Sequence, residues 1–228
     1  MPLEFTPDRL AGMIDHAMLS PAATFADLDY ACRMVIRLSV GCICVRPCDL
    51  HRAKRLLENS GVSLAAVIAF PHGSSQSAIK AFEAAQAVAS GADELDMVCN
   101  IGLLRAGMVD LVADDIAAVV SAAKGRCVKV ILECGFLTRE QMSAGCQAAM
   151  LAGAAFVKTS TGFGPTGANV EDVQFLRRQV GSKMGVKASG GITSASQALA
   201  LIQAGADRIG TSRTEQILWP LMGENKKE

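Results

Sequence analysis

Two lysines stand where lysines are costly. Lys158 lies in the apolar run AFVKT (155–159) and Lys187 inside GVKAS (185–189). Three carboxylates occupy comparable places: Asp15 ends MID (13–15), Asp96 lies within ELDMV (94–98) and Glu133 ends VKVILE (128–133). A charged group in an apolar run must be paired or used, because burying it alone is expensive. One such lysine most simply snorkels to solvent. Two on adjacent strands, with carboxylates on other strands pointing at the same place, have a chemical use. A free amine is protonated at neutral pH and cannot attack a carbonyl. Burial and a second nearby ammonium both disfavour the charged form, so one of the pair becomes a neutral nucleophile able to form a Schiff base. The iminium is then an electron sink for making or breaking a carbon–carbon bond. A carboxylate such as Asp96 can move the proton that the enamine carbon needs, directly or through water. This chemistry calls for no metal and no cofactor.

A second feature follows the last apolar runs. Ser189-Gly190-Gly191 comes directly after Lys187 and precedes a helix opening near Thr193 and Ser194; Gly210, Thr211 and Ser212 stand at the start of another helix. Glycine exposes backbone amides, and helix N-termini aim them, so such loops make an anion site. STGFG (160–164) adds Gly162 to the same rim. A single Gly-Gly is an ordinary tight turn; two such loops beside a lysine pair favour a phosphate group on the substrate.

These residues must be positioned by something, and the chain supplies a rhythm. Short apolar runs recur at MID (13–15), GCICV (41–45), LAAVIAF (64–70), ELDMV (94–98), VKVILE (128–133), AFVKT (155–159), GVKAS (185–189) and DRIG (207–210). They are short and continuous, as parallel strands covered on both faces are. GADELD, GAAFVK and GADRIG each open on a glycine suited to end a helix just before a strand. Between the runs, Met108, Val112, Ile116 and Val119 recur at helical spacing, with Asp114, Asp115 and Lys124 off that stripe. Thr138 with Gln141 forms a capping box, Asn169 and Ser74 are placed to cap helices, and Thr6-Pro7 and Ser20-Pro21 suit a first helical turn. Eight units in one undivided stretch predict a (β/α)8 TIM barrel, residues 1–228 forming one catalytic domain with its chemistry at the C-terminal ends of the strands. An open doubly wound sheet would need a glycine-rich loop after the first strand, and none follows MIDHAMLSP.

Composition agrees. Lys and Arg number 22, matching 22 Asp and Glu, which argues against a non-specific hold on nucleic acid or an acidic membrane. No apolar run approaches the ~20 residues of a membrane span, and MPLEFTPDRLAG lacks the basic-then-apolar order of a secretory signal. Cys42, Cys44 and Cys48 are too irregularly spaced for a zinc site. Most of the eight cysteines lie in apolar runs, where a thiol behaves as a small hydrophobe; reduced, buried cysteines and a cytoplasmic location are expected.

IDHAMLSP, VIAFPHG, GADELDMV, VKVILECGFLT, FVKTSTGF, VKASGGI and ADRIGTS, in this order from Ile14 to about Ser212, resemble the deoxyribose-phosphate aldolases, class I aldolases with a TIM-barrel fold. The resemblance implies that Lys158 forms the Schiff base, Lys187 perturbs it, Asp96 assists proton transfer and Asp15 belongs to the same network. It places the phosphate contacts on Gly162, Gly190, Gly191, Thr211 and Ser212. It further implies reversible cleavage of 2-deoxy-D-ribose 5-phosphate to D-glyceraldehyde 3-phosphate and acetaldehyde, and a homodimer. Three positions depart from the pattern: Ala17 replaces the threonine expected after IDH, and Cys99 and Arg213 stand where an aliphatic and a small residue are expected. Away from these, His16 and His72 could line the mouth or be structural, His51 is read as a surface residue, Lys129 belongs to the stability face away from the chemistry, and Glu133 would hold Lys158 or Lys187 by a charge-assisted bond. Another Schiff-base aldolase, a sugar-phosphate isomerase or epimerase, a non-enzymatic sugar-phosphate-binding barrel and a degenerate, inactive barrel are the competing readings.

Overall fold

The computed structural model describes residues 6–222; residues 1–5 and 223–228, the two ends of the expected domain, lie outside the described residues. Eight parallel strands close into a barrel in chain order: β1 (Ile14–Met18), β2 (Cys42–Val45), β3 (Ser63–Ile68), β4 (Glu94–Val98), β5 (Cys127–Ile131), β6 (Phe156–Lys158), β7 (Gly185–Ser189) and β8 (Arg208–Thr211). Each overlaps one of the eight apolar runs, and the (β/α)8 expectation holds. The helices are α1 (Pro7–Gly12), α2 (Phe25–Arg37), α3 (Leu50–Leu56), α4 (Ser77–Ala89), α5 (Ile101–Arg105), α6 (Val109–Ala122), α7 (Arg139–Leu151), α8 (Val170–Val180), α9 (Ala195–Gln203) and α10 (Thr214–Leu218).

The local signals mostly act where expected. Thr6 caps α1 with Pro7 in its first turn, Thr138 and Gln141 close a capping box on α7, and Asn169 caps α8. Gly91, Gly153 and Gly205, just past the ends of α4, α7 and α9, take positive φ and turn the chain into the next strand. Two signals act elsewhere. Ser20-Pro21 lies in a turn ahead of α2, whose cap is Thr24 in a capping box with Asp27. Ser74 precedes α4, which starts after Gln76 without a side-chain cap.

The outward strand faces pack on the helices through one continuous apolar core. The barrel interior is different. Cys42, Cys44, Ala65 and Val67 of β2 and β3 form a small separate apolar cluster. The remaining strands send charged side chains inward: Asp15, Glu94, Asp96, Lys129, Lys158 and Lys187 are all buried. Small side chains on one side leave room for long ones from the other.

Candidate active site

The strand register sets the charged side chains beside one another. Lys158 pairs with Lys187 across β6 and β7, Lys187 with Arg208 across β7 and β8, and Asp96 with Lys129 across β4 and β5. Because side chains alternate along a strand, Glu94 and Asp96 share one face of β4. Gly210 of β8, having no side chain, leaves Lys187 room there. A Cβ at that position would sit 3.1 Å from Lys187 Cε and 2.8 Å from Ser189 Cβ.

The result is one ion network. Lys158 Nζ and Lys187 Nζ both donate to Asp96 Oδ2, each at 2.7 Å, so the two nitrogens cannot be further apart than twice that distance. Lys187 also reaches Asp15 Oδ2 at 2.5 Å. Beneath them, Lys129 Nζ donates to Asp96 Oδ1 at 2.8 Å, lies 3.4 Å from Asp15 Oδ2 and pairs with Glu94. Arg208 closes the network with Asp15 at 2.9 Å and Glu94 at 3.4 Å. Lys129 therefore does sit at the far end from the mouth, but the expectation that it stands apart from the chemistry is corrected. It shares Asp96 with both site lysines.

Burial alone would raise the Asp96 carboxyl; Lys129, Lys158 and Lys187 outweigh it and hold the group well below the usual carboxylate range. Asp15, equally buried, is brought down to about 2 by Lys187, Lys129 and Arg208. Burial works against the charged form of Lys187, yet Asp15 and Asp96 keep it an ammonium above its ordinary value, and Lys129 is stabilised as a cation in the same way. Four cations thus face three carboxylates, and only one of those carboxylates touches Lys158.

This floor opens into a cavity of about 440 Å³ at the C-terminal ends of the strands. Lys158, Lys187 and Asp15 line its base, and Gly162, Gly190, Gly191, Thr211, Ser212 and Arg213 line its rim. The three rim glycines have positive φ, and at Gly190 a Cβ would come within 3.1 Å of Gly167 Cα. Their amides donate to no acceptor among the described residues. The α9 N-terminus differs from expectation: the amides of Thr193 and Ser194 are taken by Gln197 Oε1. Thr211 donates its hydroxyl to the Ile192 carbonyl at 2.7 Å and accepts from the Arg213 amide at 2.9 Å. It ties two loops together and keeps no proton for a ligand.

Other residues fall into place. Glu133 touches neither site lysine; it accepts from the Thr161 amide and hydroxyl and so holds the STG loop after β6. Its own φ of 58° marks the sharp exit from β5, which ends at Ile131 rather than at Glu133. His16 lines the mouth and bonds Thr214 Oγ1 at 2.9 Å; burial pushes its imidazole down to about 4, so it is neutral at physiological pH. His72 lines a neighbouring cleft of about 520 Å³ with Arg105, Phe136 and Phe163. All eight cysteines are free thiols; Cys48 is exposed and Cys127 partly so. Asp15, Cys42 and Glu94 place ligand atoms within 4.8 Å of one another, but the Lys129 ammonium and the Arg208 guanidinium already occupy that donor set.

The sequence reasoning passed over Glu94, Lys129 and Arg208 as members of the network. The available signal was parity: Glu94 two residues before Asp96, and Lys129 two residues into its strand, share the faces of the residues that were singled out. Asp115, read as lying off the apolar stripe of α6, is buried, and pairs at 2.6 Å with the equally buried Lys80 of α4.

The model of the DeoC/LacD family of aldolases matches residues 9–213. A deoxyribose-phosphate aldolase of Carboxydothermus hydrogenoformans is 47% identical over 94% of this chain and 96% of its own length. One of Thermococcus gammatolerans is 49% identical over 92% and 95%. Among solved structures, the deoxyribose phosphate aldolase of Aeropyrum pernix, described as a tetramer, superposes with a TM-score of 0.89 at 36% identity, covering 94% of this chain and 91% of that one. With a matching barrel, a buried lysine pair at its mouth and relatives of this identity along nearly the whole length, the chain belongs to the DeoC/LacD family of aldolases.

Proposed function

We propose that the chain is a deoxyribose-phosphate aldolase that reversibly cleaves 2-deoxy-D-ribose 5-phosphate to D-glyceraldehyde 3-phosphate and acetaldehyde. The observation that carries this reading is the sharing of Asp96 Oδ2 by Lys158 and Lys187 beneath a glycine rim. Neutral Lys158 adds to C1 of the open-chain sugar and loses water, giving an iminium. Lys187, held as a cation by Asp15 and Asp96, places a second positive charge beside the attacking amine. Loss of the C3 hydroxyl proton lets the C2–C3 bond break, its electrons passing into the iminium to give an enamine while C3 becomes the carbonyl of glyceraldehyde 3-phosphate. A proton delivered to C2, and then water at C1, release acetaldehyde and regenerate the amine. Asp96 is the carboxylate in contact with Lys158, so these protons pass through it or through a water it binds. The phosphate rests against the amides of Gly162, Gly190 and Gly191 and the hydroxyl of exposed Ser212, with Thr211 fixing the loop.

One catalytic domain over residues 1–228, a cytoplasmic location and assembly with a second copy complete the reading. Free thiols support the location, and the tetramer described for the Aeropyrum pernix relative supports assembly. No helix among the described residues is long and apolar enough to cross a membrane.

Borohydride trapping with acetaldehyde or 2-deoxyribose 5-phosphate in EDTA, followed by peptide mass spectrometry, tests the chemistry. A reduced two-carbon adduct on Lys158, absent from Lys158→Met, is expected. An adduct on Lys187 alone would reverse the two lysine roles, and none on a folded, sugar-binding protein would leave an isomerase or a binding protein.

A further inference from the structure

Deepening the phosphate reading, on which it rests, we propose that Arg213 is the cation that recognises the phosphate and sets the preference for phosphorylated over free sugars. The rim of the cavity is otherwise uncharged: around the three glycines stand Thr161, Phe163, Thr193 and Ser212. The lysines that line the cavity lie at its floor, each bonded to Asp96. Ahead of α9, the amides of Thr193 and Ser194 are bonded to Gln197 Oε1, so the helix entry offers dipoles but no charged side chain to an anion. A phosphate dianion at this rim therefore meets amide dipoles and one guanidinium.

Arg213 is suited to that task. Its backbone is anchored where it leaves β8, its amide bonded to Thr211 Oγ1 at 2.9 Å. Its side chain is exposed, lines the cavity and makes no ion pair or hydrogen bond with any described residue. The carboxylates that could have captured it are engaged: Glu215 holds Arg37 at 2.8 Å and Tyr30 at 2.9 Å, and Asp27 is bonded to the Thr24 amide and hydroxyl. Most of the arginines on this molecule have a carboxylate or carbonyl partner; Arg213, at the mouth of the site, keeps its fork of donors for a ligand. A planar guanidinium bonds two phosphate oxygens at once, which amides alone cannot neutralise.

The test compares wild type, Arg213→Gln and Arg213→Lys on 2-deoxyribose 5-phosphate and on 2-deoxyribose, with inorganic phosphate as a competing ligand. In Arg213→Gln, the ratio of kcat/KM for the phosphorylated sugar to that for the free sugar should fall about tenfold to a hundredfold, the range of one charge-assisted bond. The loss should lie in KM, the inhibition constant for inorganic phosphate should rise in parallel, and Arg213→Lys should restore part of both. An unchanged ratio, or equal losses on both sugars, would overturn the assignment. If wild type turns over neither sugar, the aldolase reading itself fails; phosphate binding followed by thermal shift in wild type and Arg213→Gln then still decides whether Arg213 holds the anion.

Discussion

The floor and the rim of the cavity solve opposite problems. At the floor, three lysines and an arginine are matched to three carboxylates in a buried network in which Asp96 serves three partners at once. At the rim, polar groups are left open: glycine amides, the Ser212 hydroxyl and the Arg213 side chain face the cavity. The floor must keep protonation states against the pull of burial, so every charge is bound. In the proposed function the rim receives an anion from water, which suits donors that are kept free. Charged groups are crowded and mutually bonded at the floor, and sparse and open at the rim.

If the contrast is real, removing one floor carboxylate should do more damage than removing any rim group. Asp96→Asn leaves Lys129, Lys158 and Lys187 without their shared anion. A loss of about 3–5 kcal/mol of stability is expected, seen as a drop in Tm on the order of 10 °C, with cleavage activity lost as well. A variant as stable as wild type would show that the network is not what holds the barrel interior.

Acid should separate the two regions next. His16, at the edge of the rim, titrates near 4 in the folded protein against about 6.5 when unfolded. The unfolded chain binds its proton first, so this contribution to stability is whole above pH 6.5 and disappears as pH falls toward 4, a loss of roughly 3 kcal/mol. Asp15 is depressed to about 2 from 3.8. Its contribution is present above pH 3.8 and fades only as pH falls through the folded value. Urea unfolding between pH 7 and 3 should therefore show a first decline above pH 4, abolished in His16→Gln, with the floor yielding only below it. A single decline confined below pH 4 would remove His16 from this account.

The smallest effect is expected from Thr211→Val, which breaks the tie from Thr211 to the Ile192 carbonyl and the Arg213 amide. At about 1 kcal/mol for such a bond, KM for the phosphorylated sugar should rise several-fold with kcat little changed. A fall in kcat alone would place Thr211 with the chemistry instead of the rim.

Much of the fold was legible because each strand overlaps a short apolar run, three of them just after a helix-ending glycine. The same pattern exposed Asp15, Asp96, Lys158 and Lys187, since a charge inside such a run is conspicuous. Glu94 and Arg208 were missed because they stand at strand beginnings, where a charge looks solvated. Lys129 was noticed but misjudged, because its strand position told its depth and not its length of reach. Glu133 shows the limit from the other side. It was expected to hold a lysine, yet the chain turns left-handed there and sends the carboxylate to the Thr161 loop.

The sequence by itself determined that Asp15, Asp96, Lys158 and Lys187 would be charges within apolar strands and at which end of the barrel the glycine loops would stand, since both follow from the pattern along one strand. Which charge meets which was decided by the closed barrel. Asp96 and Lys158 are 62 positions apart, and Asp15 and Lys187 are 172 apart. Only the register between neighbouring strands, the reach of a lysine across the barrel and the missing Cβ of Gly210 bring them onto shared oxygens. Free donors at the rim are likewise a tertiary property. Whether an amide or a guanidinium remains available depends on every acceptor that folding carries past it.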